Sequence, residues 1–89
     1  MTVTPQTIHD IATRGQALYE HSIRPHVEPQ HSGKFLVLDV DTGEYEIDAD
    51  DLHASDRLLE RVPNALLYGI RIGSAAAYKL GAHSRHPRP

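Results

Sequence analysis

The stretch from Lys34 to Ile47, KFLVLDVDTGEYEI, leaves this chain the fewest choices. Its first half is packed with branched and aromatic residues, its second half alternates charged and apolar side chains, and Asp41-Thr42-Gly43 separates the two. That is the pattern of a β-hairpin, because branched side chains suit a pleated surface and glycine accepts the positive φ that a tight connection demands. In the first strand, Lys34 to Val40, Phe35 and Val37 point to one side and Leu36, Leu38 and Val40 to the other, which predicts a central strand covered on both faces. In the second strand only Tyr45 and Ile47 point inward. It reads as an edge, with Glu44 and Glu46 facing solvent as guards against further pairing.

A hairpin does not hold itself together in water, so the rest of the chain must cover it. Upstream, Pro5 to Ile23 predicts a helix: Thr4 caps it, Pro5 fits the first helical position, and Ile8, Ile11, Leu18 and Ile23 share a stripe in which Gly15 is a thin spot. Arg24 to Gly33, RPHVEPQHSG, reads as a linker or extended arm, because Pro25 and Pro29 lack donors and drive Arg24 and Glu28 out of helical geometry. Downstream, Asp48-Ala49-Asp50-Asp51 opens a second helix, with Asp48 accepting from the Asp51 amide. Leu52, Leu59 and Val62, with Ser55 between them, form its buried stripe, and Pro63-Asn64 ends it. Ala65 to Gly73, ALLYGIRIG, is a third strand with Leu66, Tyr68, Ile70 and Ile72 on one face and Leu67, Gly69 and Arg71 on the other. The handedness of β-α-β crossovers makes it parallel to the second strand and places it beside the first, giving the order 2-1-3 with the second helix on one face. Ala75 to Leu80 fits either a fourth short strand or a helical turn, and the end of the chain reads as a frayed basic tail. The expected fold is α+β: an N-terminal helix and proline-containing arm (1–32), a β-β-α-β unit with a three- to four-stranded sheet (33–81), and a flexible tail (82–89).

Charge and composition narrow the function. Nine Lys+Arg against twelve Asp+Glu give a formal charge of -3, which supplies no general attraction to a polyanion. A DNA-binding antitoxin would have to rely on Arg71, Lys79, Arg85 and Arg88 against that balance, so nucleic acid is not the expected partner. With no cysteine there is neither a disulfide framework nor a thiolate zinc site. The N-terminal stretch lacks the unbroken apolar run of a secretory signal, and Ala65 to Ile72, interrupted by Gly69, is far short of the ~20 residues that span a bilayer. A cytoplasmic protein with no membrane contact is the expectation.

One motif suggests catalysis. Asp41-Thr42-Gly43 after an apolar strand is the tripeptide that carries the catalytic aspartate in retropepsin-like aspartic proteases, where two chains bring two carboxylates together to share a proton. A dimeric peptidase using Asp41 from each chain is therefore the alternative function. Against it, Glu44 stands where those enzymes place a small residue, and the same tripeptide is what a hairpin turn prefers. A calcium loop drawn from Asp39 onward fails because glycine falls at the fifth position where the sixth is needed, and Asp50 stands where a bidentate Glu is expected. The seven histidines show no ligand spacing and read as surface residues, and Ser74 lacks the frame of a nucleophile elbow. No catalytic residue, cofactor or metal site is assigned.

The stretch Gly33 to Gly81, with its G-K-F strand, acidic hairpin, amphipathic helix and final R-I-G strand, resembles a family of small uncharacterised bacterial proteins common in cyanobacteria and other environmental bacteria. The resemblance reaches upstream to Arg24-Pro25 and Glu28-Pro29. It implies the smaller member of a two-gene unit, in an arrangement similar to toxin-antitoxin pairs and in some cases beside a small retropepsin-like protease. It implies no catalytic residue, and it supports reading Asp41-Thr42-Gly43 as the hairpin turn. The expected function is thus a non-catalytic binding or regulatory protein that docks on a partner protein or on itself as a homodimer. The first helix and arm would carry recognition, with Ile8, Ile11, Leu18 and Tyr19 as anchors and Arg24, His26 and Glu28 as polar contacts.

Overall fold

The computed structural model of the chain describes residues 5–74 and 77–82. Helix α1 (Pro5–Leu18) continues through a π-helical turn (Tyr19–Ile23) into a short helix α2 (Arg24–Val27). Strands β1 (Phe35–Asp39) and β2 (Tyr45–Asp48) form the hairpin, helix α3 (Asp51–Arg61) follows, and β3 (Leu66–Arg71) and β4 (Ala77–Ala82) complete the sheet. The sheet order is β2-β1-β3-β4 and every neighbouring pair is antiparallel. Because β2 and β3 both oppose β1, they run parallel to each other, and α3 links them across β1 as the crossover rule predicts. The stretch near the C-terminus takes the strand alternative. Thr4 and most of the basic tail lie outside the described residues.

The alternation read in the strands places one core on each face of the sheet. Leu36, Leu38 and Val40 of the β1 segment join Tyr68, Ile70 and Ile72 beneath Ile11, Tyr19, Ile23 and Val27 of the N-terminal helices. On the opposite face Val37 and Leu67 pack with Ala54, Leu58, Leu59 and Ala65 around α3. Three layers result, with the first helix seated on its own sheet. Asp50, and not Asp48, caps α3: its carboxylate accepts from the Leu52 amide at 2.8 Å, while Asp48 accepts from the Asp50 amide at 2.8 Å. The buried stripe is Ala54, Ser55, Leu58 and Leu59, and Leu52 is 67% exposed. At about 100° per residue, Leu52 falls roughly a quarter-turn off that stripe.

The arm departs most from expectation. Arg24, next to Pro25, keeps helical angles (φ −50, ψ −45), and Glu28 is the first residue to leave them (φ −96, ψ 142). Proline in a helix withholds an amide and crowds the carbonyl one turn back. The wider π turn stands immediately before it, with the Arg24 amide bonded to the Tyr19 carbonyl five residues earlier. Continuing the helix places Val27 one turn beyond Ile23, and both are buried against the sheet. Apolar burial there outweighs the local preference of the Arg-Pro pair.

Tyr19 closes this corner. It is 1% exposed, and its hydroxyl donates to Glu28 Oε2 at 2.7 Å, while Arg24 reaches the same carboxylate at 3.3 Å. Burial, then the bond to Glu28, pushes the phenol up to about 12. An unfolded tyrosine ionises near 10, so the folded state holds the proton longer, and stability that is complete below about 10 is lost as pH rises through about 12. Denaturant unfolding followed against pH should show this alkaline decline, and Tyr19→Phe should make it shallower, Tyr68 and Tyr78, which burial also pushes up, supplying the remainder. An unchanged slope in Tyr19→Phe would assign the decline to another tyrosine.

Candidate functional site: the two edges of the sheet

The structure distributes the expected recognition residues rather than gathering them. Ile11 (0% exposed) and Tyr19 belong to the core and offer no surface, while Leu18 is half-buried and packs against that core. Ile8 is half-buried, Arg24 and His26 are exposed, and Glu28 is occupied by Tyr19 and Arg24. The amphipathic stripe that suggested docking is satisfied by the chain's own sheet.

The Asp41-Thr42-Gly43 turn is built from Asp39, which sequence reasoning considered only as a failed calcium ligand. The Gly43 amide reaches the Asp39 carbonyl at 2.8 Å, and Gly43 takes φ 79. The Asp39 side chain, in a residue 1% exposed, accepts from the Thr42 amide (3.1 Å), the Thr42 hydroxyl (2.8 Å), the Asp41 amide (3.4 Å) and the Leu66 amide (3.0 Å). One carboxylate thus ties the hairpin turn to the start of β3. Asp41 itself projects outward: its side chain is 54% exposed and meets Arg14 at 3.0 Å, whose guanidinium also donates to the Val40 carbonyl at 3.1 Å. In this arrangement Asp41 fastens the turn to α1.

At the β2 edge, two arginines of α3 reach down onto the strand. The Asp39 amide bonds the Glu44 carbonyl, so by antiparallel alternation Tyr45 and Ile47 turn their backbone groups away from β1. Those carbonyls are taken: Arg61 donates to Tyr45 O at 3.1 Å and Arg57 to Ile47 O at 2.8 Å. The same guanidinium groups pair with Glu46 (2.9 Å from Arg57, 2.7 Å from Arg61), Asp48 (2.8 Å from Arg57) and Glu44. The bond from Arg57 holds the Asp48 carboxyl below its ordinary range. Glu44 and Glu46 therefore face α3 rather than open solvent, and the guards of this edge are arginines on the helix.

The β4 edge is built differently. Val40 and Leu66, and Lys34 and Ile72, are joined through the β1 to β3 ladder, so Leu67 and Gly69 turn their backbone groups toward β4. Opposite them Gly81 and Lys79 face β3, which leaves Leu80 and Ala82 facing outward. Among the described residues, no side chain bonds the outward groups of Leu80. Between Gly69 and Ile70 the register slips, so that Tyr78 has no cross-strand partner and lies beside Lys79 on the α3 side. Gly69 leaves room for this: a Cβ there would stand 3.0 Å from Tyr78 Cζ and 3.0 Å from Lys79 Cβ. The Tyr78 ring packs edge-on to Phe35 with centroids 5.3 Å apart, and its hydroxyl donates to Asp51. Burial, then that bond, pushes the phenol's ionisation up.

Lys79 completes a polar cluster with Asp51 (3.0 Å) and the hydroxyl of Ser55 (2.8 Å). A serine beside a lysine invites comparison with a nucleophile and its base. Here Ser55 is 6% exposed, and the ammonium donates to the serine and the carboxylate together, so the cluster serves as a clamp between β4 and α3. Neither the clamp nor the arginine cover has a short-range sequence signal, since both join residues far apart in the chain. Among the described residues, no group of His, Cys, Asp or Glu side chains is placed to hold a metal ion, and no helix is long and apolar enough to cross a membrane. Comparison with protein-family models, with curated proteins and with solved structures gives no match.

Proposed function

We propose that this chain is a non-catalytic cytoplasmic docking module that binds a protein partner, or a further copy of itself, by strand addition at the β4 edge. The observation that carries the reading is the unequal treatment of the two edges: β2 carbonyls are filled by Arg57 and Arg61, whereas Leu80 and Ala82 present their backbone groups outward. An open edge offers main-chain hydrogen bonds to an incoming strand, and the side chains flanking it set selectivity. The pairing of Asp41 with Arg14 in an outward turn supports a structural use of the tripeptide. On the resemblance noted above, the partner is expected from a neighbouring gene, in an antitoxin-like pairing.

Gly81→Lys is the informative variant, because a Cβ at Gly81 meets nothing within 4 Å and the fold should accept it. Baits of the unaltered protein and of Gly81→Lys would be compared in native lysate. A protein held stoichiometrically by the first and lost from the second supports docking at β4; equal capture by both removes the edge from the reading. In parallel, the protein is expected to cleave no peptide substrate. Cleavage that disappears in Asp41→Asn would put the dimeric peptidase in place of the docking module.

A further inference from the structure

We infer that the occupant of the β4 edge is a second copy of this chain, paired antiparallel about a twofold axis at Leu80 to give one continuous eight-stranded sheet. The inference rests on the docking reading above and adds the identity of the partner. Three features of the edge are complementary to themselves.

The first is charge. An edge strand is commonly protected by a lysine that reaches across it. Lys79 is the one charged residue of β4, and it is drawn back by Asp51 and Ser55 onto the α3 side, so it does not reach across the edge. With Leu80 opposite Leu80 of the second copy, each Lys79 lies across from a Gly81, so no like charges meet.

The second is shape. Space beside Gly81 is open on the same face, and the stem of the opposing lysine can occupy it. On the other face Leu80 and Ala77 are half-buried and lean on the α1-side core, so the two leucines extend that core across the axis.

The third is the layer arrangement. A pair of short strands alone covers only part of the about 1,200–2,000 Å² of a specific interface. Helix α1 packs over β3 and β4, so two α1 layers are brought alongside each other across the axis and widen the contact. The Tyr78 bulge limits straight pairing to the residues after it, which centres the register near Leu80.

The test is solution mass by light scattering across micromolar concentrations, on the full chain and two variants at Gly81. The unaltered protein should show twice its 9.9 kDa chain mass. Gly81→Lys places lysine across from lysine whether the axis lies at Leu80 or at Gly81, and should halve the mass; Gly81→Glu places a carboxylate across from Lys79 and should leave it doubled. Far-UV spectra of both variants should match that of the unaltered protein. A single-chain mass for the unaltered protein overturns the second copy as occupant, while the bait comparison decides separately whether the edge docks another protein. A doubled mass in Gly81→Lys overturns the β4 edge as the contact, and a single-chain mass in Gly81→Glu overturns the axis at Leu80.

Discussion

Asp39→Ala should lower the free energy of unfolding by about 4 kcal/mol, because hydrogen bonds to a charged acceptor contribute about 1.5–3 kcal/mol and stranded buried donors cost about 1–3 kcal/mol each. The Leu66 amide and the Thr42 amide and hydroxyl would lose their acceptor together, in a site where Asp39 is 1% exposed. For a domain of this size, about 4–8 °C is lost per kcal/mol, so the thermal midpoint should fall by more than 15 °C or so. Asp39→Asn keeps the shape but turns a donor toward other donors, and about 2 kcal/mol is expected. The contrast is Asp41→Ala: its pairing with Arg14 is exposed and screened by solvent, so this variant should lose the least of the three. Urea unfolding of the three variants measures the order, and a loss below about 1 kcal/mol in Asp39→Ala would mean that water replaces the carboxylate.

Gly15→Ala is the second large effect, and its sign runs against helix propensity. Within an exposed helix the change would stabilise by about 1 kcal/mol. At Gly15, however, the new Cβ would stand 2.3 Å from Cγ and Cδ2 of Tyr68 and 2.7 Å from its Cβ, atoms at the root of a buried side chain on β3. The ring cannot swing clear without moving the strand, so α1 must lift. Overpacking costs about 1–3 kcal/mol and sometimes more, and a net loss of about 2 kcal/mol is expected. In a Tyr68→Leu background the same substitution should become neutral or favourable, and the double-mutant cycle isolates the contact. A stabilised Gly15→Ala in the unaltered background would show that the helix rides higher on the sheet.

These two positions also mark where sequence reading stops. Alternation in KFLVLDV and ALLYGIRIG is a property of neighbours in the chain, and it assigned both faces of β1 and β3, while the crossover rule set the order of the first three strands and the glycine of the tripeptide marked the turn. Gly15 read as a gap in the helix stripe, since nothing local shows that a tyrosine dozens of residues later needs that gap. Asp39 read as one acid in a crowd, because its partners include an amide on another strand. Pro25 read as a helix end on a sound local rule, and burial of Val27 overrode it. The edges were the least legible: the sequence shows Glu44 and Glu46 alternating with Tyr45 and Ile47, but Arg57 and Arg61 come to them only when α3 docks.

That last dependence reaches into how the molecule assembles. Fibre growth needs two receptive edges per unit, one to accept and one to offer; with the outward carbonyls of β2 taken by Arg57 and Arg61, the addition proposed at β4 would stop after a single event. Yet the seal is not part of the strand. It arrives with a helix that follows β2 in the chain, so a nascent hairpin made before α3 has closed over it exposes both sides. The order in which helix and sheet come together therefore separates a finite particle from an open-ended aggregate, and the chain has placed α3 directly after the edge it protects.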